Sequence, residues 1–169
     1  MKIVGLDQST RRSAYSVFIN GKLKRFGTFV ADEKEKDPYV RMEQMHEQLS
    51  AFLKKEKPDA VVIENIQFQK NQHAYAVLGN MQGVVFAILY ALHIPFFVVE
   101  PSKWRVNVGI KPTSKREILK KDAIETASAK YGIDASEDES EAALIGQWLV
   151  DMVDSKQIIL ERNNKNGRI

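Results

Sequence analysis

The chain has 169 residues, enough for one compact domain with a real core, and its 44% apolar and 28% charged residues are ordinary for a soluble globular protein. It has no cysteine, which excludes disulfides, thiolate metal sites and cysteine nucleophiles, and its three histidines, His46, His73 and His93, show no zinc spacing. A net charge of +3 and a pI near 9.0 give only a weak lean toward a polyanionic partner. Residues 2–6 read as a buried strand, and a chain that opens directly on it is expected to carry no signal peptide. Residues 13–19 alternate, carrying Tyr15, Val17 and Ile19. Asn20-Gly21 is a two-residue hairpin turn, so residues 22–30 should return antiparallel. Asp37-Pro38 puts an N-cap before a proline at the first helical position. Met42, Met45, Leu49, Phe52 and Leu53 then recur at helical spacing until Lys57-Pro58-Asp59. Residues 60–64 form a short valine-rich run, as expected of a central parallel strand.

A long helix is expected over about residues 72–93. Its second half is apolar nearly all round, which predicts a central packed helix rather than a membrane span. Gly79 and Gly83, four apart, allow close approach of a neighbouring backbone. Residues 95–99 read as another strand, 102–108 as a short helix and 109–113 as a loop, followed by helices over 114–131 and 137–153. Residues 156–169 make a polar tail expected to fray, leaving residues 1–155 as the folded domain. No apolar run is expected to reach membrane-spanning length, so a cytoplasmic location is the default. The order predicts an α/β fold with a mixed five-stranded sheet, three antiparallel strands then parallel strands, and helices on both faces. That is the ribonuclease H-like architecture, although fold alone does not fix function.

Function is read from acids placed where acids are usually avoided. Asp7 closes the run Lys2-Ile3-Val4-Gly5-Leu6, and Glu64 closes Ala60-Val61-Val62-Ile63. Asp138 and Glu141 open the last helical pattern. Buried carboxylates are normally paired, hydrogen-bonded or metal-bound. Simpler readings exist: Asp7 as a turn residue, Glu64 as a solvated strand end, and the helix acids as partners of the helix dipole. Ser136 with Glu139 forms a capping box that accounts for Glu137 and Glu139, but less well for Glu141. At about 100° per residue, Asp138, Glu141, Ile145, Trp148 and Met152 share one inward face. Two carboxylates from adjacent strands and two from a crossing helix would suit two divalent cations roughly 3.5–4 Å apart, clamping a scissile phosphate. An all-oxygen ligand set points to Mg²⁺, with Mn²⁺ able to substitute. Lys103, Arg105, Lys111, Lys115, Arg116, Lys120 and Lys121 crowd one stretch around Trp104. That stretch is either a solvated face or a phosphate-tracking surface.

These motifs resemble the RuvC-type Holliday junction resolvases, of the compact phage-encoded kind, over residues 1–153. The resemblance rests on Gly5-Leu6-Asp7 before the strand with Tyr15, on Val62-Ile63-Glu64 with Lys70-Asn71 downstream, on Val108-Gly109 before Lys115, and on the segment Asp138 to Leu144. It implies catalytic, metal-holding acids at Asp7, Glu64, Asp138 and Glu141, and a basic residue near the scissile phosphate at Lys115. It implies a branched DNA substrate, four-way junctions first, with three-way junctions and replication forks as further candidates. The expected DNA contacts are Phe68, Lys70, Lys103, Arg105, Lys111, Arg116, Lys120 and Lys121. The location would be the cytoplasm, that of a host cell for a phage protein. Three positions depart from the family pattern: Gln8-Ser9 replaces Pro-Gly, Glu141 replaces Asp, and Gln67 stands where an aromatic is usual, with Phe68 one later. Two symmetric incisions imply a homodimer, for which Tyr75, Leu78, Gly79, Gln82 and Phe86 offer a helical stripe. Alternatives are a related nuclease acting on RNA or unstructured strands, and a non-catalytic branched-DNA-binding module. An actin-like nucleotide-binding protein shares the look of Gly5 to Thr10 but needs a second Gly-rich phosphate loop that this chain lacks.

Overall fold

The structure, a computed structural model, describes residues 1–68, 71–111, 113 and 115–160. Three strands open the chain: β1 (Lys2–Asp7), β2 (Arg12–Ile19) and β3 (Lys22–Val30). Asn20 and Gly21, at φ 50° and 77°, make the tight turn between the last two, because both central residues of such a turn need positive φ. Helix α1 (Pro38–Glu56) starts where Asp37 Oδ1 accepts a 2.8 Å bond from the Tyr39 amide. Strand β4 (Ala60–Glu64) then inserts parallel to β1. Helix α2 (Gln72–Ala91) leads to β5 (Phe96–Val99), parallel to β4. Helices α3 (Pro101–Asn107), α4 (Arg116–Tyr131) and α5 (Glu137–Asp154) complete the fold. The sheet order is β3-β2-β1-β4-β5, the mixed five-stranded arrangement expected from the sequence.

Strands β1 and β4 are buried on both faces, which is why they read as continuous apolar runs. Val4, Leu6, Val61 and Ile63 face α1 and α2 and pack with Met45, Leu49, Met81 and Val85. Ile3, Ala60 and Val62 face the other way and pack with Trp104, Ala127, Leu144 and Ile145. Gly5 lies on this second face, directly under α5. A Cβ there would stand 2.5 Å from the Ala142 carbonyl oxygen and 2.6 Å from the Gly146 amide. Gly146 returns the contact, for its own Cβ would lie 2.6 Å from Ser16 Oγ and from Phe18 Cε2. Ser16 Oγ also donates a 2.7 Å bond to the Ala142 carbonyl, so α5 is both drawn to and seated on the sheet.

Helix α2 departs from the expectation. Only Met81, Gln82, Val85, Ile88 and Leu89 are fully buried, whereas Ala76, Asn80, Gly83, Ala87 and Tyr90 are exposed. It shares its sheet face with α1 alone, so its outer side has nothing packed on it among the described residues and it is not a central helix. It is also long and apolar enough to cross a membrane by length and composition, contrary to the expectation that no segment reaches that mark. Here its buried stripe packs on the sheet. The helix ends at Ala91, with His93 at φ 53°, and α4 starts at Arg116 with Lys115 as its N-cap. Beyond residue 155, Ile158 and Leu160 still pack on the α5-side core. The rest of the polar tail, residues 161–169, lies outside the described residues.

Candidate active site

Asp7 ends β1 and Glu64 ends β4, and the parallel register Leu6 to Ile63 sets them side by side. Strand alternation gives Asp7 the parity of Gly5 and Glu64 that of Val62, so both point to the α5 side. Helix α5 begins over this edge. Glu139 Oε2 accepts from the Ser136 amide at 3.0 Å while Ser136 Oγ accepts from the Glu139 amide at 3.4 Å, the capping box expected from the sequence. With Glu139 committed to the cap, Asp138 and Glu141 turn inward. All four acids line one cavity of about 700 Å³, together with Gln8, Arg11, Arg12, Arg105, Arg116 and Lys120.

The electrostatics are those of crowded carboxylates. Burial, then the charges of Glu64, Glu141 and Asp138, pushes the Asp7 carboxyl well above its ordinary range. Burial raises Glu64 to about 7, with Glu141 adding to the rise and Trp104, Arg105 and Arg116 opposing it. Glu141 is raised by burial against the pull of Arg105. Asp138 is raised by burial and by Glu137, against Arg12 and Lys120. In Glu139 burial also raises the pKa, but bonds from Ser136 and Thr28 outweigh it and hold this acid low.

One motif binds the strand acids to the helix acids. Trp104, fully buried, donates Nε1–H to Glu64 Oε1 at 2.8 Å. The guanidinium of Arg105 sits 4.6 Å from the Trp104 ring centroid. Its Nη2 donates to Glu141 Oε1 at 3.0 Å and lies 3.6 Å from Glu64 Oε1. The Glu64 carbonyl accepts from Gln8 Nε2 and Gln82 Nε2, each at 3.2 Å. Sequence reasoning grouped Arg105 with the DNA-tracking cations; the structure puts it in the wall of the acid cavity, bonded to Glu141. It grouped Gln82 with a dimer stripe; the structure buries it behind Glu64.

The other expected cations fall into two sets. Arg116 and Lys120 line the cavity, and Lys120 Nζ is 2.6 Å from Glu137 Oε2. Lys103, Lys111 and Lys115 are exposed outside its lining, and Lys121 pairs with Glu125 at 3.5 Å on the surface of α4. Phe68 is 76% exposed, its ring centroid 5.7 Å from that of Tyr75. Lys70 lies outside the described residues. Sequence reasoning missed Arg11, Arg12 and Gln8 in the cavity lining, although a basic pair four residues after Asp7 was a signal in plain view.

The donor set, carboxylate oxygens without sulfur or imidazole, fits a hard divalent cation. As placed, no three acid or histidine side chains among the described residues stand close enough to hold one ion. Arg105 and Trp104 occupy the facing oxygens of Glu64 and Glu141. The chemistry of the set fits, and the contacts to Arg105 and Trp104 use Oε1 of each acid.

Comparison with known proteins identifies the family and the fold. The family described as "Crossover junction endodeoxyribonuclease RuvC" matches residues 3–130, ending in the last turn of α4. A curated protein of that name from Syntrophomonas wolfei is 28% identical over 123 residues, 70% of this chain and 71% of the relative. One from Carboxydothermus hydrogenoformans is 30% identical over 126 residues, covering 70% and 78%. Among solved structures, Thermus thermophilus RuvC in complex with Holliday junction substrate superposes with a TM-score of 0.75 at 15% identity, covering 92% of this chain and 96% of the other. The fowlpox virus resolvase with Holliday junction DNA gives 0.62 at 16% identity, covering 90% and 99%. A ribonuclease H-like sheet carrying acids at the ends of β1 and β4 and at the start of α5, together with this match, places the chain in the RuvC family of crossover junction endodeoxyribonucleases.

Proposed function

We propose that the protein is a divalent-metal-dependent endodeoxyribonuclease that resolves four-way DNA junctions by two symmetric nicks. The observation that carries the reading is the convergence of Asp7, Glu64, Asp138 and Glu141 on one cation-rimmed cavity in a RuvC-family chain. These acids would hold Mg²⁺ or Mn²⁺, two ions per site. The ions would supply Lewis acidity toward the scissile phosphate and its attacking water. The chain's own residues do the rest. Arg12 and Arg116 on the cavity wall bind the phosphates flanking the scissile one. Lys115 offsets the negative charge that builds in the transition state, and reaches it from the N-terminus of α4. Lys103, Lys111 and Lys121, exposed, track the duplex backbone, with Lys120 joining them from the cavity edge. Phe68 offers an exposed ring for stacking on bases unpaired at the branch.

Two incisions related by two-fold symmetry call for two chains. Tyr75, Leu78, Gly79 and Phe86 are all part-buried, Phe86 stacked on Phe96 with centroids 5.0 Å apart. The seat we propose is therefore the exposed stripe of α2, Ala76, Asn80, Gly83 and Ala87, whose small residues allow close approach. An enzyme of this kind works where recombining DNA is, inside the cell. The deciding experiment compares cleavage of four-way, three-way, linear and RNA–DNA hybrid substrates with Mg²⁺ and with EDTA. Mg²⁺-dependent cutting at the branch point of the four-way junction is expected. Equal cutting of the linear duplex or the hybrid would overturn the proposal.

A further inference from the structure

Arg105 occupies an unusual place for a cation in a site built to attract cations. Its side chain is 17% exposed, between Glu64 at 20% and Glu141 at 13%. The guanidinium is held against the Trp104 ring, and Trp104 in turn holds Glu64. One nitrogen, Nη2, serves both acids, donating to Glu141 Oε1 at 3.0 Å and lying 3.6 Å from Glu64 Oε1. Arg105 Nε is buried with no hydrogen-bond partner among the described residues. The arginine thus forgoes part of its donor capacity to stand between the strand acid and the helix acid. Asp7, Glu64, Glu137, Asp138 and Glu141 share the cavity with Arg11, Arg12, Arg116 and Lys120, and Arg105 is the cation bonded to Glu141 and set beside Glu64. The guanidinium contacts Oε1 of each acid, so an ion bound by Glu64 and Glu141 would compete with it for the same negative charge.

We propose that Arg105 is the site's internal counter-cation: it ties Glu64 to Glu141 when no divalent ion is bound and gives way when one binds. It is a positioning residue that sets how tightly the site takes metal. This rests on the reading of the four acids as metal ligands. Released from Glu141, the guanidinium stays in the cavity wall, free to turn its fork to a phosphate.

Calorimetric titration of Mg²⁺ into chelator-stripped wild type and Arg105→Gln tests this directly. Loss of a competing positive charge at a half-buried site is expected to tighten Mg²⁺ binding on the order of tenfold. The melting temperature in EDTA is expected to fall, because two buried acids lose their partner. Arg105→Lys keeps the charge without the fork and should lie between. Mg²⁺ binding by Arg105→Gln equal to or weaker than wild type would overturn the proposal. If Arg105→Gln does not fold, a Trp148→Phe background leaves Trp104 as the sole tryptophan. Its emission is then expected to change on Mg²⁺ saturation as the guanidinium leaves the ring. Unchanged emission while calorimetry shows bound Mg²⁺ would also overturn it. Absence of Mg²⁺ binding by wild type and Asp7→Asn alike is a different failure, which removes the metal-ligand reading and this inference with it.

Discussion

Replacing Gly146 by alanine asks whether the closeness of α5 to the sheet is what brings strand acids and helix acids together. The added Cβ would lie 2.6 Å from Ser16 Oγ and Phe18 Cε2, nearly an ångström inside an ordinary contact of about 3.5 Å. Neither neighbour can yield cheaply. Phe18 is 1% exposed, and Ser16 is held by its bond to the Ala142 carbonyl. The helix must lift. Overpacking of this kind costs about 1–3 kcal/mol. Alanine recovers about 1 kcal/mol over glycine inside a helix, so the expected net loss is about 0–2 kcal/mol. Gly5→Ala should cost more, because its Cβ would meet backbone at Ala142 and Gly146, which cannot rotate away. Gly79→Ala is the control: its Cβ would meet only Ile66 Cδ1, at 3.6 Å, and should gain about 1 kcal/mol. Urea unfolding in EDTA gives the stabilities, and single-turnover junction cleavage at saturating protein and Mg²⁺ gives the chemistry. Lifting α5 by about 1 Å moves Asp138 and Glu141 from Asp7 and Glu64, and a misplacement of that size is worth about 10²-fold in rate. A Gly146→Ala protein as stable and as fast as wild type would refute the claim that this glycine contact sets the spacing of the acids.

The remaining predictions concern charge and assembly. Glu64→Gln should abolish cleavage and, in EDTA, make the protein more stable at pH 8. The sign follows from a carboxyl raised from 4.5 to about 7 in the folded chain: nothing is lost below pH 4.5, stability falls as pH rises through the interval, and the full penalty of about 3 kcal/mol stands above 7. The advantage of Glu64→Gln in thermal unfolding should therefore shrink toward pH 5, and an advantage equal at both pH values would rule this out. Lys115→Ala should lower the single-turnover rate about 10²-fold with little change in junction affinity, whereas Lys111→Ala should mainly weaken binding and flatten its salt dependence; a purely affinity-based defect in Lys115→Ala would remove its role in the chemical step. Ala87→Arg places a charge on the exposed stripe of α2 and should split the dimer without changing the unfolding midpoint of the monomer, read by light scattering with and without junction DNA; a persistent dimer would mean that the chains meet elsewhere.

What could be read in the sequence was what depends on near neighbours. The Asn20-Gly21 turn, the Asp37 cap before Pro38 and the Ser136–Glu139 box each need only a few residues, and all stand as expected. The acids of β1 and β4 were legible for a related reason. Each is the first charge after a run apolar on both faces, which marks the strand end, while the face it takes is set by the fold and not by the run. Direction failed where a segment is apolar or basic on every side. Helix α2 has no polar face to orient it, and the stripe chosen from its spacing ran through Gln82, which the fold needs behind Glu64. Arg105 lies in a basic stretch, and its contacts to Trp104 beside it and to Glu141, 36 residues on, depend on tertiary placement that the stretch does not show.

The two glycines explain why such a site tolerates its own charge. Four acids converge only if a helix and a strand meet at backbone distance, and Gly5 against Gly146 supplies that approach with no side chain between them. The same approach buries Leu144, Ile145 and Leu149 against Ile3 and Val62 just below the acids. Apolar burial along the lower part of the α5–β1 contact therefore holds together an upper end that electrostatics alone would force apart. Trp104 and Arg105 act at the seam between the two, one fixing Glu64 by a hydrogen bond and the other lending positive charge to both acids. On this account, loosening the apolar part with Leu144→Ala should disturb the acids above it: beyond about 2–5 kcal/mol of lost stability, it should weaken Mg²⁺ binding in the fraction that remains folded. Mg²⁺ affinity unchanged in folded Leu144→Ala would show that the acids keep their places without help from the core beneath them.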